Sequence, residues 1–232
     1  MDVQHILFGV YPYVAGTVFF LGSLLRFDRE QYTWKADSSQ LLARKDLRLG
    51  SNLFHVGILA IFFGHLFGLL TPHPVFLALG ISDLAHQHLA IWIGAGFGIL
   101  CMLGGLLLLR RRLFNPRVRA TSRCMDIFIL VWLLITLGLG LTTIPFSIYD
   151  ALQGDTSDMI LLSRWAQGIV SLRPNPGLLG PVDLIYKIHL FFGLTVFLLF
   201  PFTRLVHAWS VPLGYLGRPY QIVRTKYVRY HR

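Results

Sequence analysis

The chain has 232 residues, 54% of them hydrophobic and 14% charged, with a mean hydropathy of +0.59, whereas charged residues make up about 25% of an ordinary soluble domain. A water-soluble fold of this size needs more polar surface than these residues supply, so the bilayer must act as part of the solvent. Collagenous, disordered and disulfide-scaffold classes are thereby excluded. The 21 Lys and Arg against 11 Asp and Glu give a net charge of +10. In a soluble chain that balance points to nucleic acid; here membrane topology accounts for it, and no nucleic-acid partner is expected.

Five apolar stretches, residues 6–25, 49–70, 89–109, 127–146 and 184–206, are long enough to cross about 30 Å of hydrocarbon at about 1.5 Å per residue. The first is read as a retained helix and not a signal peptide, because MDVQH carries no Lys or Arg and no small-residue cleavage site follows. Orientation follows from the basic residues between the spans, which accumulate on the cytoplasmic side. Segments 26–48, 110–123 and 204–232 each hold six, eighteen of the 21, while 71–88 holds none and 147–183 only Arg164 and Arg173. The expected fold is therefore an all-α integral membrane protein of five transmembrane helices, with the N-terminus outside and the C-terminus cytoplasmic. Residues 1–210 form the membrane domain. Residues 211–232 form a basic tail whose GYLGRPYQIVRTKYVRY mixes aromatics with Arg, a composition suited to binding a protein partner.

The outer loop 147–183 is too long for a simple turn and contains SDMILLSRWAQGIV ahead of the breaker RPNPG. This segment fits either a helix lying on the bilayer with Met159, Leu162, Trp165 and Ile169 buried, or a packed lid; the lid is the favoured reading. Cys101 and Cys124 make no disulfide framework. There is no CxxCH, so any haem would be held without a thioether link.

Of nine histidines, His55, His65, His189 and His207 lie within or at the ends of spans two and five. An ionisable side chain there is disfavoured by a few kcal/mol, roughly, and faces the bundle interior with a partner. The two spans run in opposite directions, so the pairs that meet at equal depth are His55 with His207 near the inner face and His65 with His189 near the outer face. Two neutral imidazoles converging from facing helices can supply both axial ligands of a haem iron. The spacings do not match, because ten residues span about 15 Å of helix and eighteen about 27 Å. Tilt and a kink at Pro201 are expected to absorb the difference.

Gly57, Gly64, Gly68 and Gly193 remove side chains where a porphyrin would approach the backbone, or serve plain helix packing. Lys187, two residues before His189, and Arg204, one turn before His207, are placed to pair with haem propionates, or to snorkel to the interface.

The strings YPYVAGTVFFLGSLLRFDREQYTWKADSSQ (11–40), SNLFHVGILAIFFGHLFGLLTPH (51–73), RRLFNPRVRA (111–120), LTTIPFS (141–147) and FPFTRLVHAWSVPLGYL (200–216) resemble the gamma subunit, a di-haem cytochrome b, of membrane-bound respiratory nitrate reductase. The resemblance implies a multi-pass protein of the bacterial cytoplasmic (inner) membrane. It would oxidise membrane quinol near its outer haem and pass electrons through two b haems to an iron-sulfur beta subunit, which feeds a molybdenum-containing catalytic alpha subunit. The family's axial ligands match His55, His65, His189 and His207. Where better-known members carry lysines near the outer end of span three, this chain has His86 and His88. A quinol site is expected there with Gly64, the two histidines taking the proton that quinol must lose as it loses electrons. Other readings are a cytochrome b of a different quinone-linked complex (hydrogenase, formate dehydrogenase or sulfur-compound reductase), a proton-relay transporter, or an anchor without cofactors.

Overall fold

The computed structural model describes residues 2–34 and 44–210. The basic tail 211–232 and part of the connection 26–48 lie outside the described residues. Five helices are long and apolar enough to cross a membrane: α1 (Val3–Arg29), α2 (Arg44–Leu70), α4 (Asp83–Phe114), α6 (Cys124–Leu152) and α8, which is α-helical over Leu184–Leu199. Short helices α3 (His73–Ala78) and α5 (Pro116–Thr121) sit in connections, and α7 (Ser157–Val170) lies in the long loop after α6. No strand occurs among the described residues. The end carrying α3 and α7 is called the lid end, and the opposite end, with Arg110 to Arg123, the basic end. Three helices, α1, α4 and α6, overrun the expected spans at both ends: Ser82 caps α4 by accepting from Ala85 N at 3.2 Å, with Asp83 in the first turn.

Small residues set the tightest packing. A Cβ on Gly104 would stand 2.4 Å from Phe54 N, and one on Gly57 2.5 Å from the Cβ of Cys101, so α2 and α4 meet almost backbone to backbone. Gly98 and Gly105 likewise receive Leu141 and Leu134 of α6. Next, α6 packs on α8 through the stacked rings of Trp132 and Phe192, 4.6 Å apart. The sequence of close packings ends with α1 on α8, where Tyr11 Oη and Thr195 Oγ1 share a 2.8 Å hydrogen bond. Extensive packing thus runs α2, α4, α6, α8, α1, and among the described residues it does not join α2 to α8. Those two helices face each other across a cleft, and α2 is the least covered of the five spans.

The lid reading of α7 holds. Trp165 is 4% exposed, donates from Nε1 to Phe8 O at 2.9 Å and meets the Phe8 ring edge-on. Gln167 Nε2 donates to Leu69 O and Thr71 O at 3.0 and 3.2 Å, serving carbonyls that the end of α2 leaves without helical partners. Leu162 and Ile169 join this packing half-buried, beside Leu179 and Val182, while Met159 lines a small cleft instead. The lid therefore fastens α1, α2 and α8 at one end.

Candidate functional site: two histidine pairs across the cleft

Span five does not continue as one helix to His207. The α-helix stops at Leu199; a 3₁₀ turn, Phe200–Phe202, contains Pro201, and Thr203 is extended. A second 3₁₀ segment, Arg204–Ser210, then carries His207. Proline has no N–H to continue the helical ladder and its ring crowds the preceding turn, so the chain breaks here. The break does more than the kink expected from the sequence. By stopping and redirecting the helix, it brings an eighteen-residue separation on span five into register with a ten-residue separation on α2.

The result is the pairing expected from depth. His55 and His207 have ring centres 6.2 Å apart at an interplanar angle of 68°, and His65 and His189 are 6.1 Å apart at 47°. Two imidazoles joined by a direct hydrogen bond would have centres about 5 Å apart. With a metal ion between them, bonded at about 2.0–2.1 Å to each nitrogen, the expected separation is about 6.3–6.5 Å. Both pairs lie closer to the second arrangement than to the first.

Each ring is also held in the tautomer that metal binding requires. His55 Nδ1 donates to Ser51 O at 2.7 Å and His65 Nδ1 to Ile61 O at 2.8 Å, each one turn back along α2. His189 Nδ1 donates across to Thr136 O of α6 at 3.0 Å, and His207 Nδ1 donates to Arg204 O. A carbonyl only accepts, so in all four rings Nδ1 carries the hydrogen, and in the neutral ring Nε2 then keeps its lone pair, a support typical of ligating histidines. Each pair therefore offers two protein nitrogens, and among the described residues no group of three or more His, Cys, Asp or Glu is placed to hold a metal ion.

The glycines divide between the two roles the sequence allowed. Gly64 and Gly193 have nothing within 4 Å of where a Cβ would stand, so they border open space, as a flat cofactor requires. Gly57 serves helix packing. Gly68 lies against His86, whose Nε2 would be 3.6 Å from its Cβ. Gly140, which carries no motif in the sequence, makes room for the His189 ring: its Cβ would stand 2.8 Å from His189 Cε1.

Of the remaining expected residues, Lys187 directs Nζ to Gly180 O at 3.0 Å, and Arg204 is half-buried at the start of the His207 segment. His86 and His88 are separated: two residues apart on a helix, they point to different sides. His86 stacks on Phe76 at 4.1 Å and lines a cleft beneath the lid, while His88 is exposed. Sequence reasoning also missed Arg26, counted there only as topological charge. Its guanidinium is half-buried and donates to Pro201 O at 2.7 Å, Thr203 O at 2.8 Å and Thr33 O at 3.0 Å, so span one braces the break in span five.

A sequence model of the nitrate reductase gamma subunit matches residues 4–226. The chain is 53% identical over 221 residues to the respiratory nitrate reductase 1 gamma chain of Escherichia coli (strain K12), covering 95% of this chain and 96% of that one. It is 40% identical over 222 residues to the nitrate reductase gamma chain of Bacillus subtilis (strain 168), covering 96% and 98%. It also matches a nitrate reductase-like protein of Mycobacterium tuberculosis at 37% identity, with 94% of this chain aligned to 33% of that protein. With near-complete coverage and a histidine pair at each of two levels, the chain belongs to the nitrate reductase gamma subunit family.

Proposed function

We propose that the chain is the di-haem cytochrome b of a respiratory nitrate reductase, oxidising quinol at its lid end and delivering electrons at its basic end to an iron-sulfur beta subunit and thence to a molybdenum-containing alpha subunit. The observation that carries this reading is the pair of 6.1 and 6.2 Å ring separations, with all four Nδ1 atoms held on carbonyls. Haem b, when bound, supplies a reversible one-electron carrier at each level. His55 and His207 would hold one iron and His65 and His189 the other. Lys187 and Arg204 would bring a cation to the level of each pair, where propionates need one.

At the lid end, Gly64 leaves the backbone open beside His65, and His86 stands against Gly68, one turn further along the same face of α2. A quinol bound there would have its hydroxyl within reach of a neutral imidazole, which is the group suited to take its proton near neutral pH. The concentration of Lys and Arg at the opposite end supports placing that end in the cytoplasm, where the partner subunits would dock. Electrons would then move inward while protons leave outward. The test is the reduced-minus-oxidised spectrum of membranes containing the chain, with quinol as reductant. Two b-type components, both reduced by quinol and extractable by acid-acetone, are expected; absence of b-type absorbance would refute the proposal.

A further inference from the structure

Oxidising one quinol to quinone releases two electrons, which leave to haem iron, and two protons, which must reach water. His86 can take up a proton but is half-buried under the lid, so it needs an outlet. On the reading that quinol is oxidised at the lid end, we infer that His73 and Asp83 form that outlet, a dyad carrying protons from His86 to the outer aqueous phase.

The geometry is that of a base oriented by a carboxylate. His73 Nδ1 lies 2.9 Å from Asp83 Oδ1, so Asp83 holds the hydrogen on Nδ1, leaves Nε2 as the accepting nitrogen and stabilises the imidazolium formed there. Asp83 and His86 are three residues apart in α4 and share a face of the helix. All three side chains line one cleft of about 30 Å³, enough for a bridging water, roofed by Arg164 and Gln167 of the lid. The His73 and Asp83 side chains are 40% and 31% exposed, so the dyad touches water at its far side. The charged or titratable groups facing His73 in this cleft are Asp83 and His86 from α4 and Arg164 from α7. In each cycle Nε2 of His73 gains a proton passed on from His86, directly or through the cleft, and loses it to water. No electron is transferred at the dyad.

The experiment uses the whole membrane complex bearing His73→Gln or Asp83→Asn. Both variants are expected to keep both b-type components with unchanged midpoint potentials. Their reduction by quinol should slow about tenfold or more and lose its wild-type pH dependence, while reduction by a dithionite-reduced viologen, which delivers no protons, stays at the wild-type rate. Added imidazole should restore quinol-driven reduction in His73→Gln, a rescue that a purely structural role for the pair would not allow. Asp83→Asn keeps the hydrogen-bonding shape of the pair and decides the matter if His73→Gln loses a component. Wild-type rates and pH profile in both variants, or slowing without imidazole rescue, would overturn the dyad. Failure of quinol to reduce the wild-type complex would instead overturn the reading on which it rests.

Discussion

Replacing Arg26 with Gln tests how the chain holds its fourth histidine in place. The guanidinium binds the carbonyls of Pro201 and Thr203 at 2.7 and 2.8 Å, and Thr203 is only 1% exposed. Glutamine is too short to reach both, and a buried carbonyl left without a donor costs about 1–3 kcal/mol. Two of them, less the relief available from water at the membrane face, shift the order of segment 200–210 by about 2–3 kcal/mol, or about 30- to 150-fold. His207 rides on that segment, so a haem held between it and His55, as proposed, should be retained more weakly by up to that factor, while one held between His65 and His189 should be untouched. Arg26→Lys, whose ammonium can still bridge two carbonyls, should recover most of the loss. Optical redox titration of membranes reads each component, and hydrogen exchange over 200–210 reads the segment directly. If Arg26→Gln kept both components and left exchange over 200–210 at wild-type protection, the bracing role would be wrong.

Four further outcomes follow from the same contacts. His65→Ala or His189→Ala should remove one b-type component, and His55→Ala or His207→Ala the other, as read by redox titration. Gly140→Ala places a methyl 2.8 Å from His189 Cε1; it should shift the spectrum of the lid-end component or delete it while sparing the other, whereas Gly57→Ala, aimed at Cys101, should lower stability without that selectivity. Trp165→Ala removes the buried centre of the lid and should cost about 3–5 kcal/mol, seen as faster proteolysis of 153–183. Burial pushes the Asp158 carboxyl in the lid up from its ordinary value, with the charges of Asp183 and Asp155 adding to the rise and the hydrogen bond from Asp183 N opposing it. The folded lid therefore binds this proton more tightly than the unfolded chain, so this contribution to its stability declines as pH rises from the ordinary carboxylate value through the raised one and is constant above it. Asp158→Asn should flatten that slope in thermal melts.

The bundle and the pairing were legible in the sequence because both rest on simple periodic facts. Apolar length marks a span, and antiparallel direction alone matches His55 with His207 and His65 with His189. What escaped depends on contacts between distant segments. Arg26 and Pro201 are 175 positions apart, and nothing local distinguishes a bracing arginine from an ordinary interfacial one. Pro201 announced a bend, but whether a proline kinks a helix or ends it depends on what else can serve the freed carbonyls, and here that partner comes from α1. Glycines were visible as candidates, yet only the neighbouring helix decides that Gly57 meets Cys101 while Gly64 meets nothing. His86 and His88 looked equivalent as a doublet, although a helix turns them apart. His73 and Asp83 drew no attention because the connection between them, residues 74–82, hides that they meet.

The central claim is that each histidine pair holds one haem. The direct measurement is the haem-to-protein ratio by pyridine haemochrome assay of the purified complex, in the wild type and in His65→Ala and His207→Ala. The proposal predicts about two non-covalent b haems on the wild-type chain and about one on each variant, the two variants keeping components of different potential. A wild-type chain without b haem, or two variants that lose the same component, would contradict it.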